Sequence, residues 1–211
     1  MIHPSLIFCN VDTQKDFVEP WGKLYVPGAE QLKPVWKTIT QAACKNQVRV
    51  LNTADYHFIN SAEIDDHPDM VKTFPPHCLA TTRGAEYVEE TQPFEPVIFR
   101  WDTPYPRMAL ELELKEAREI VILKDAFDLF EGNGITEEIL DILQPEIAVV
   151  YGVTTNVCVD YAAVGLIRRV PHVYVVSDAI KELPTIPLPF KKWEKMGIRM
   201  ITTEELLSSI T

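Results

Sequence analysis

Length, composition and charge limit the class of protein that this sequence can encode. With 211 residues, 46% of them hydrophobic and 24% charged, the chain can form one sizeable α/β domain and does not require two. A formal net charge of −11 argues against nucleic acid or an anionic membrane surface as the main partner.

Targeting and redox features point to a cytoplasmic protein. The N-terminal residues lack the basic and apolar regions of a signal peptide, and no apolar run is long enough to span a bilayer. The cysteines show no C-x-x-C spacing, and a chain of this length needs no disulfides for stability. Free thiols in a reducing compartment are therefore expected at Cys9, Cys44, Cys78 and Cys158.

Short apolar runs rich in β-branched residues alternate along the chain with segments of helical periodicity. The strands predicted from these runs lie, in chain order, at 6–11, 48–53, 97–101, 119–123, 147–151, 172–177 and 198–201. The predicted helices lie at 28–45, 107–118, 136–143 and 159–168, followed by one through Trp193 and Met196 and a last one that starts with a Thr202–Glu205 capping box. This alternation predicts an α/β fold with a mostly parallel sheet and helices on both faces.

Several polar residues follow the carboxyl ends of different predicted strands. They are Asp12, Asp55, Lys124 and the stretch 152–158, which ends at Cys158. In parallel α/β folds ligands bind beyond the carboxyl ends of the strands, so these residues can meet although they are far apart in sequence.

Cys158 lies between a predicted strand end and a predicted helix start. There, free backbone N–H groups and the positive end of the helix dipole lower a thiol pKa and offer donors to a developing oxyanion. From this stretch alone, an ordinary buried cysteine is an equally good interpretation. Asp12 could serve as proton acceptor and Lys124 as neighbouring cation, although singly they could be a cap and a solvated charge. Together the three favour a thiol nucleophile.

The long polar stretch 54–82 contains three of the five histidines, and loops of this length are usually functional or disordered. Asp55-Tyr56-His57 is followed by Glu63, His67 and His77. These are ligand types that Zn²⁺, Fe²⁺ or Mn²⁺ accept. A hydrogen-bonded polar loop without a metal explains the same pattern about equally well.

Five separated stretches carry the pattern of one known family. They are Asp12-Thr13-Gln14-Lys15-Asp16-Phe17, the run from Gly22 to Ala29, Asp55-Tyr56-His57, Phe74-Pro75-Pro76-His77-Cys78, and the run from Gly152 to Val159. In this order they resemble nicotinamidases of the isochorismatase-like cysteine hydrolases. The resemblance covers most of the chain and implies one domain, residues 1–211, with a three-layer α-β-α fold and a six-stranded parallel sheet.

The resemblance also implies the catalytic groups. Asp12, Lys124 and Cys158 correspond to an Asp-Lys-Cys triad. A cis peptide bond before Thr154 is implied as well, with the backbone N–H groups of Thr154 and Cys158 as donors to the oxyanion. Phe17 and Phe74 match positions that flank a flat aromatic substrate, although both could be core residues.

The resemblance further implies a divalent metal, zinc in the first place and iron or manganese as alternatives. Its ligands would be Asp55, His57, Glu63 and His77. His67 competes with Glu63 for the fourth position. In the metal-containing nicotinamidases the pyridine nitrogen of the substrate binds this metal.

Two features depart from the family pattern. The segment at about 85–118 is longer than usual, and we expect it to shape the pocket or an oligomer contact. Within it, Arg100-Trp101-Asp102 ends a predicted strand with a second cation. Counting forward from His77 favours Arg100 as the triad cation, whereas counting back from Cys158 favours Lys124. We prefer Lys124, because arginine is not equivalent to a compact ammonium beside a thiolate.

The sequence therefore predicts a cysteine amidase that hydrolyses nicotinamide, or a close aromatic carboxamide, to the acid and ammonia through a thioester. Such an enzyme would take part in NAD salvage. The nearer alternative is a metal-free isochorismatase-like hydrolase of another small amide, carbamoyl or vinyl-ether substrate. The distant alternative is a non-catalytic flavodoxin-like binding module. We expect a homo-oligomer without nucleic-acid or membrane partners.

Overall fold

The computed structural model describes residues 5–210, and within this range seven strands form one sheet. In chain order they are β1 (Leu6–Val11), β2 (Arg49–Asp55), β3 (Val97–Arg100), β4 (Glu119–Lys124), β5 (Ile147–Val153), β6 (His172–Lys181) and β7 (Arg199–Ile201). Their spatial order is β3-β4-β2-β1-β5-β6-β7, and every neighbouring pair is parallel. The predicted α/β class with a parallel sheet is confirmed.

The sheet has one strand more than the six implied by the family resemblance. Both edges are short, since β3 has four residues and β7 has three. Each edge strand pairs on one side only, and strands this short add little to the sheet. The seven apolar runs predicted from the sequence correspond one to one to the seven strands.

Eight α-helices lie among the described residues. They are α1 (Lys15–Val18), α2 (Lys33–Lys45), α3 (Arg107–Glu116), α4 (Leu129–Gly132), α5 (Ile135–Leu143), α6 (Cys158–Ile167), α7 (Phe190–Met196) and α8 (Thr203–Ser209). Within the described range, no helix combines the length and apolar character that crossing a membrane requires.

The helices form two layers, one on each face of the sheet. The connection from β1 to β2 runs in one direction along the sheet, whereas the connections from β3 through to β7 all run in the other. Because such crossovers are right-handed, they place α2 on one face and α3 to α7 on the other. The contacts agree: α3 packs on α5, α4 on α6 and α6 on α7, while α8 returns to α2. The result is the expected α-β-α arrangement.

One fully buried tryptophan anchors each helical layer. Trp36 of α2 is 0% exposed and its indole N–H donates to the Ala179 carbonyl at 2.9 Å. Trp193 of α7 is 1% exposed and donates to Asp160 Oδ1 at 2.7 Å. Both rings bury a large apolar area while their one polar group stays hydrogen-bonded, which is the condition for placing tryptophan in a core.

Several boundaries differ from the prediction. The predicted helix at 28–45 divides into a 3₁₀ turn (Ala29–Leu32) and α2, with Pro34 in its first turn. The short helices α1 and α4 were not predicted, because four residues are too few for a periodic pattern. The capping box of Thr202 and Glu205 is present at the start of α8.

The strand order brings four sequence-distant segments to one edge of the sheet. β4, β2, β1 and β5 are consecutive neighbours, and their carboxyl ends carry Lys124, Asp55, Asp12 and the stretch that leads to Cys158. The register pairs Asp55 with Lys124 and Val11 with both Thr53 and Gly152. The chain leaves β1 toward β2 and later reaches β5 on the opposite side, so the crevice beyond β1 is a topological switch point.

The long stretch after β2 is irregular, as predicted. Residues 56–82 contain isolated bridges, His57 to Leu79 and Ile64 to Phe74, but no longer strand and no helix. The segment at about 85–118 contributes the 3₁₀ turn Glu89–Thr91, β3 and α3. This segment therefore extends the sheet at one edge.

Gly152 provides a test of the close approach between β1 and β5. Its φ is +121°, and a Cβ there would lie 2.1 Å from the carbonyl oxygen of Val11. We expect Gly152→Ala to lower the free energy of unfolding by about 3 kcal/mol, because backbone has to move. Urea denaturation measures the difference.

The matched control is Gly134→Ala, where a Cβ meets no atom within 4 Å. This change should alter the free energy of unfolding by no more than about 0.5 kcal/mol. Equal effects of the two substitutions on the free energy of unfolding would contradict the conclusion that the close approach of β1 and β5 requires glycine at position 152.

Candidate active site

Asp12 directly follows β1, and its side chain is fully buried. Its backbone amide donates to the Thr53 carbonyl at 3.2 Å. Thr53 Oγ1 donates to Asp12 Oδ1 at 2.6 Å. The neighbouring strand thus fixes one carboxylate oxygen and leaves the other, Oδ2, for the remaining functional groups.

The ammonium of Lys124 lies at the end of β4 between two buried carboxylates. Its Nζ is 2.9 Å from Asp12 Oδ2 and forms an ion pair with Asp55 Oδ1. Burial alone would lower the pKa of Lys124, but the carboxylates of Asp12 and Asp55 raise it well above its usual range. Lys124 is therefore a stable cation that both carboxylates share.

The two carboxylates respond differently to this cation. Burial raises the pKa of Asp12; the charge of Asp55 adds to this effect, whereas Lys124 acts against it. Burial also acts to raise the pKa of Asp55, but Lys124 and the imidazoles of His57 and His77 hold it well below its usual range. Asp12 is thus the carboxylate better suited to accept a proton.

Cys158 is the first residue of α6 and is 5% exposed. Its Sγ and carboxylate oxygens of Asp12 and Asp55 all lie within 4.8 Å of one another. Burial raises the pKa of the Cys158 thiol well above its usual range; Lys124 lowers it, and the two carboxylates raise it further. This direction is opposite to the one expected at a helix start, because burial has the largest effect on the thiol.

The loop between β5 and α6 has the backbone geometry implied by the resemblance. The Val153–Thr154 peptide bond is cis. Among the described residues, the N–H groups of Thr154 and Cys158 donate to no acceptor. The loop is held by Asn156, whose side chain donates to the Leu183 and Ile186 carbonyls at 2.8 and 2.7 Å.

Asp55, His57 and His77 form a buried cluster beside the triad. One ligand atom from each lies within 4.8 Å of the others. The Nε2 atoms of both histidines lie 3.7 Å from Asp55 Oδ2, too far for a hydrogen bond. His57 Nε2 is buried without a hydrogen-bond partner in the described part of the chain. An unpaired buried nitrogen facing a carboxylate and a second imidazole fits a divalent cation.

Glu63, and not His67, lies beside this cluster. Glu63 Oε2 lies 4.0 Å from His57 Nε2, and its Oε1 accepts a hydrogen bond from the Phe127 amide at 2.8 Å. Burial raises the pKa of Glu63 to about 7. His67 lies on the surface of the loop and has no place in the cluster. Spacing in the sequence did not distinguish Glu63 from His67. The path of the loop does, because it brings Glu63 toward His57 and leaves His67 at the surface.

A narrow pocket opens onto Cys158. Its apolar wall includes Phe17, Phe74, Phe127 and Leu183, and Thr154 adds a buried hydroxyl without a hydrogen-bond partner in the described structure. Phe17 and Phe74 are 2% and 3% exposed, so they belong to the core and to the pocket wall at once. Their burial agrees with a core position, and their contact with a flat aromatic substrate stays a prediction.

Arg100 lies apart from this site. Its guanidinium pairs with Asp102 at 2.7 Å and lies 5.6 and 5.8 Å from the ring centroids of Tyr56 and Trp101. It therefore belongs to an aromatic and charged cluster at the surface. Lys124 is the cation that contacts Asp12, as the count back from Cys158 predicted.

Residues 6–205 match the family model of the isochorismatase domain. The chain belongs to the isochorismatase family. It is 30% identical over 77 residues to the nicotinamidase/pyrazinamidase of Mycobacterium tuberculosis, a match that covers 36% of this chain. That match spans 40% of the length of the mycobacterial protein. The family predicted from the sequence motifs is confirmed.

Solved structures of this family share the fold. Pyrazinamidase of Pyrococcus horikoshii in complex with zinc superposes with a TM-score of 0.71 at 23% identity, covering 94% of this chain and 99% of that one. N-carbamoylsarcosine amidase from Thermoplasma acidophilum superposes with a TM-score of 0.70 at 20% identity, covering 95% and 97%. At these identities the likeness establishes the isochorismatase fold and nothing finer.

Several site residues were not predicted from the sequence, among them Thr53, Asp125 and Phe127. Thr53 precedes Asp55 by two positions on β2, so strand alternation could have placed both on one face. Asp125 accepts from His57 Nδ1 at 2.8 Å and follows Lys124 directly at a strand end, which was an available signal. Phe127 lines the pocket from an irregular segment, and its position follows from no local pattern.

Lys124→Met tests how much the ammonium shared by Asp12 and Asp55 contributes to the stability of the fold. The substitution keeps an apolar side chain of similar length but leaves two buried carboxylates close together without a positive charge. Removing one partner of a buried ion pair is strongly destabilising, so we expect the free energy of unfolding to fall by about 3 to 5 kcal/mol. Urea denaturation at neutral pH, with a chelator present, measures it.

The control for this substitution is Lys115→Met, which changes an exposed lysine at the end of α3. It removes the same charge and should leave the unfolding midpoint nearly unchanged. If both variants have the same urea midpoint of unfolding as the wild type, the ion pairs of Lys124 with Asp12 and Asp55 do not stabilise the fold.

Proposed function

We propose that this chain is a cysteine amidase that releases ammonia from a small aromatic carboxamide, with nicotinamide as the first candidate. The observation that carries the proposal is the position of the Cys158 thiol, within 4.8 Å of a carboxylate oxygen of Asp12, the residue that Lys124 also contacts. A pocket with phenylalanine side chains leads to this thiol. A nucleophile, a base and a fixed cation at the end of an aromatic pocket are the groups that amide hydrolysis requires.

In the first step Asp12 takes the proton of the Cys158 thiol while the sulfur attacks the carboxamide carbon. The raised pKa of the thiol means that it rests protonated, so proton transfer accompanies the attack. The raised pKa of Asp12 makes its carboxylate a better base than an ordinary surface aspartate. Lys124 keeps the carboxylate oriented and limits the build-up of negative charge.

The attack places negative charge on the amide oxygen. The N–H groups of Thr154 and Cys158 donate to no acceptor among the described residues, and both residues line the pocket, so these groups can hold this oxygen. Donors of this kind contribute roughly 3 kcal/mol each to transition-state stabilisation in other enzymes.

Collapse of the tetrahedral intermediate breaks the carbon–nitrogen bond. Asp12 returns its proton to the departing nitrogen, ammonia leaves, and a thioester to Cys158 remains. A water molecule then gives a proton to Asp12 and its oxygen attacks the thioester carbon. The sulfur leaves and recovers the proton, which releases the carboxylic acid and restores the resting thiol.

Asp55, His57, Glu63 and His77 are the residues that would hold a divalent cation, with zinc as the first candidate and iron or manganese as alternatives. The donor set of two imidazoles and two carboxylates suits each of these ions. When bound, the cation would supply a Lewis-acidic anchor for a ring nitrogen, which orients the carboxamide toward Cys158. The pyrazinamidase of Pyrococcus horikoshii, which shares this fold, forms a complex with zinc, and this supports the first choice.

A metal-free hydrolase of another small amide, carbamoyl or vinyl-ether substrate is the second candidate. It is favoured by the triad geometry, which makes no use of the cluster residues other than Asp55, and by a fold shared with N-carbamoylsarcosine amidase. A flavodoxin-like binding module is less consistent with a buried acid, cation and thiol in contact. A homo-oligomer in the cytoplasm stays a prediction.

Cys158→Ala tests the nucleophile. We expect ammonia release from nicotinamide to fall at least ~10³-fold, because no other group of the triad can form the thioester. Cys44→Ala is the matched control, since Cys44 is an exposed cysteine of α2 remote from the site. It should retain wild-type activity, and circular dichroism should show that both variants keep the fold. Wild-type turnover by Cys158→Ala would contradict the proposal that Cys158 is the nucleophile.

Metal removal separates the two candidate functions. Dialysis against a chelator should lower the turnover of nicotinamide and pyrazinamide at least tenfold by weakening their orientation, and added zinc should restore it. Ammonia release and metal content are measured on the same preparation, with simple aliphatic amides for comparison. Unchanged turnover after complete removal of metal would instead favour the metal-free hydrolase.

A further inference from the structure

The imidazole of His57 is fully buried and has a carboxylate near each nitrogen. On one side, Nδ1 lies 2.8 Å from Asp125 Oδ1, a hydrogen-bond distance. On the other side, Nε2 lies 3.7 Å from Asp55 Oδ2 and 4.0 Å from Glu63 Oε2, and makes no hydrogen bond within the described chain. Nδ1 is therefore held by a hydrogen bond, whereas Nε2 faces the cluster without a hydrogen-bond partner in the described chain.

Asp125 is itself held in place. Ser61 Oγ donates to Asp125 Oδ1 at 2.6 Å and accepts a hydrogen bond from the Phe58 amide at 2.8 Å. The amide of Asp125 donates to the Gly132 carbonyl at 3.3 Å. The carboxylate thus connects the loop that carries His57 with the end of β4 that carries Lys124.

His77, like His57, has its Nδ1 atom near an acceptor and its Nε2 atom near Asp55, but the acceptor is a backbone carbonyl. Its Nδ1 lies 2.8 Å from the Pro75 carbonyl oxygen, and its Nε2 lies 3.7 Å from Asp55 Oδ2, the same distance as His57 Nε2. Ligands bonded to one tetrahedral cation at about 2.1 Å are roughly 3.4 Å apart. Each Nε2 atom therefore lies at nearly this spacing from the shared Asp55 oxygen.

We propose that Asp125 is the positioning residue of the metal cluster. It accepts the Nδ1 proton of His57, which fixes the tautomer in which the Nε2 lone pair faces Asp55 and His77. A carboxylate in this position also makes the imidazole a stronger ligand than a carbonyl does, and such partners affect metal affinity about 10- to 100-fold. Ser61 keeps the carboxylate aimed at the ring. The inference rests on the metal-binding part of the proposed function.

The experiment titrates zinc into the metal-free full-length chain by calorimetry. Asp125→Ala should weaken binding about 10- to 100-fold, because His57 loses its acceptor. Asp125→Asn should weaken it less, since the amide oxygen still accepts and the shape is kept. Asp65→Ala is the matched control: it removes the same charge from an exposed position of the same loop, where the carboxylate accepts from the His67 amide. Its affinity should stay within about twofold of wild type.

A spectroscopic measurement distinguishes positioning from a general loss of structure. In wild-type protein loaded with cadmium-113, nitrogen NMR should show coupling of the metal to His57 Nε2 and a proton on Nδ1. In Asp125→Ala the Nδ1 proton should exchange faster with water. Circular dichroism of the metal-free variants checks the fold, and Asp125→Asn carries the test if Asp125→Ala does not fold.

The inference is overturned if both Asp125 variants bind zinc as tightly as wild type, if cadmium bonds to Nδ1 of His57, or if the wild-type chain binds no zinc. Ammonia release by the wild type is an independent measurement. Amide turnover together with an unchanged zinc affinity in the variants removes the role of Asp125 and leaves the amidase. Weakened zinc binding without amide turnover supports Asp125 and removes the amidase.

Discussion

The contact of one buried ammonium with two carboxylates organises this molecule. Lys124 contacts Asp12 on one side and Asp55 on the other, so the same cation lies beside the Cys158 thiol and beside the cluster of His57 and His77. Neither carboxylate could stay ionised in this interior without it, because the cost of burying an unpaired charge is several kcal/mol. The three side chains lie at the ends of three adjacent strands, and the order β4-β2-β1 of the sheet brings them together.

The division of roles between the carboxylates follows from their other neighbours. Asp12 faces the buried thiol and accepts one hydrogen bond from Thr53, so burial dominates and its pKa rises. Asp55 faces two imidazoles as well as the ammonium, so its pKa falls. Two aspartates around one cation therefore have pKa values shifted in opposite directions. Differences of this kind between neighbouring acids are characteristic of catalytic sites.

Much of this arrangement is visible in the sequence, and the remainder has identifiable reasons. Continuous apolar runs mark strands buried on both faces, and the residues that follow them, Asp12, Lys124 and Cys158, share one edge because parallel strands end together. The loop after β2 follows no periodicity, so the choice of Glu63 over His67 and the contact of Asp125 with His57 appeared only in three dimensions. The raised pKa of Cys158 depends on how completely other segments exclude water, which sequence neighbours do not determine.

The positions of the site residues along the chain also determine when the site can exist during folding. The hydrogen bond between Thr53 and Asp12 spans 41 residues, and the contact between Lys124 and Asp55 spans 69. Cys158 follows β5, which pairs with β1 across more than 130 residues of sequence. Contacts of such separation form late, because closing long loops costs entropy before it yields contacts. A nascent or clipped chain without its last third therefore contains both carboxylates and the cation in its sequence but lacks β5 and Cys158.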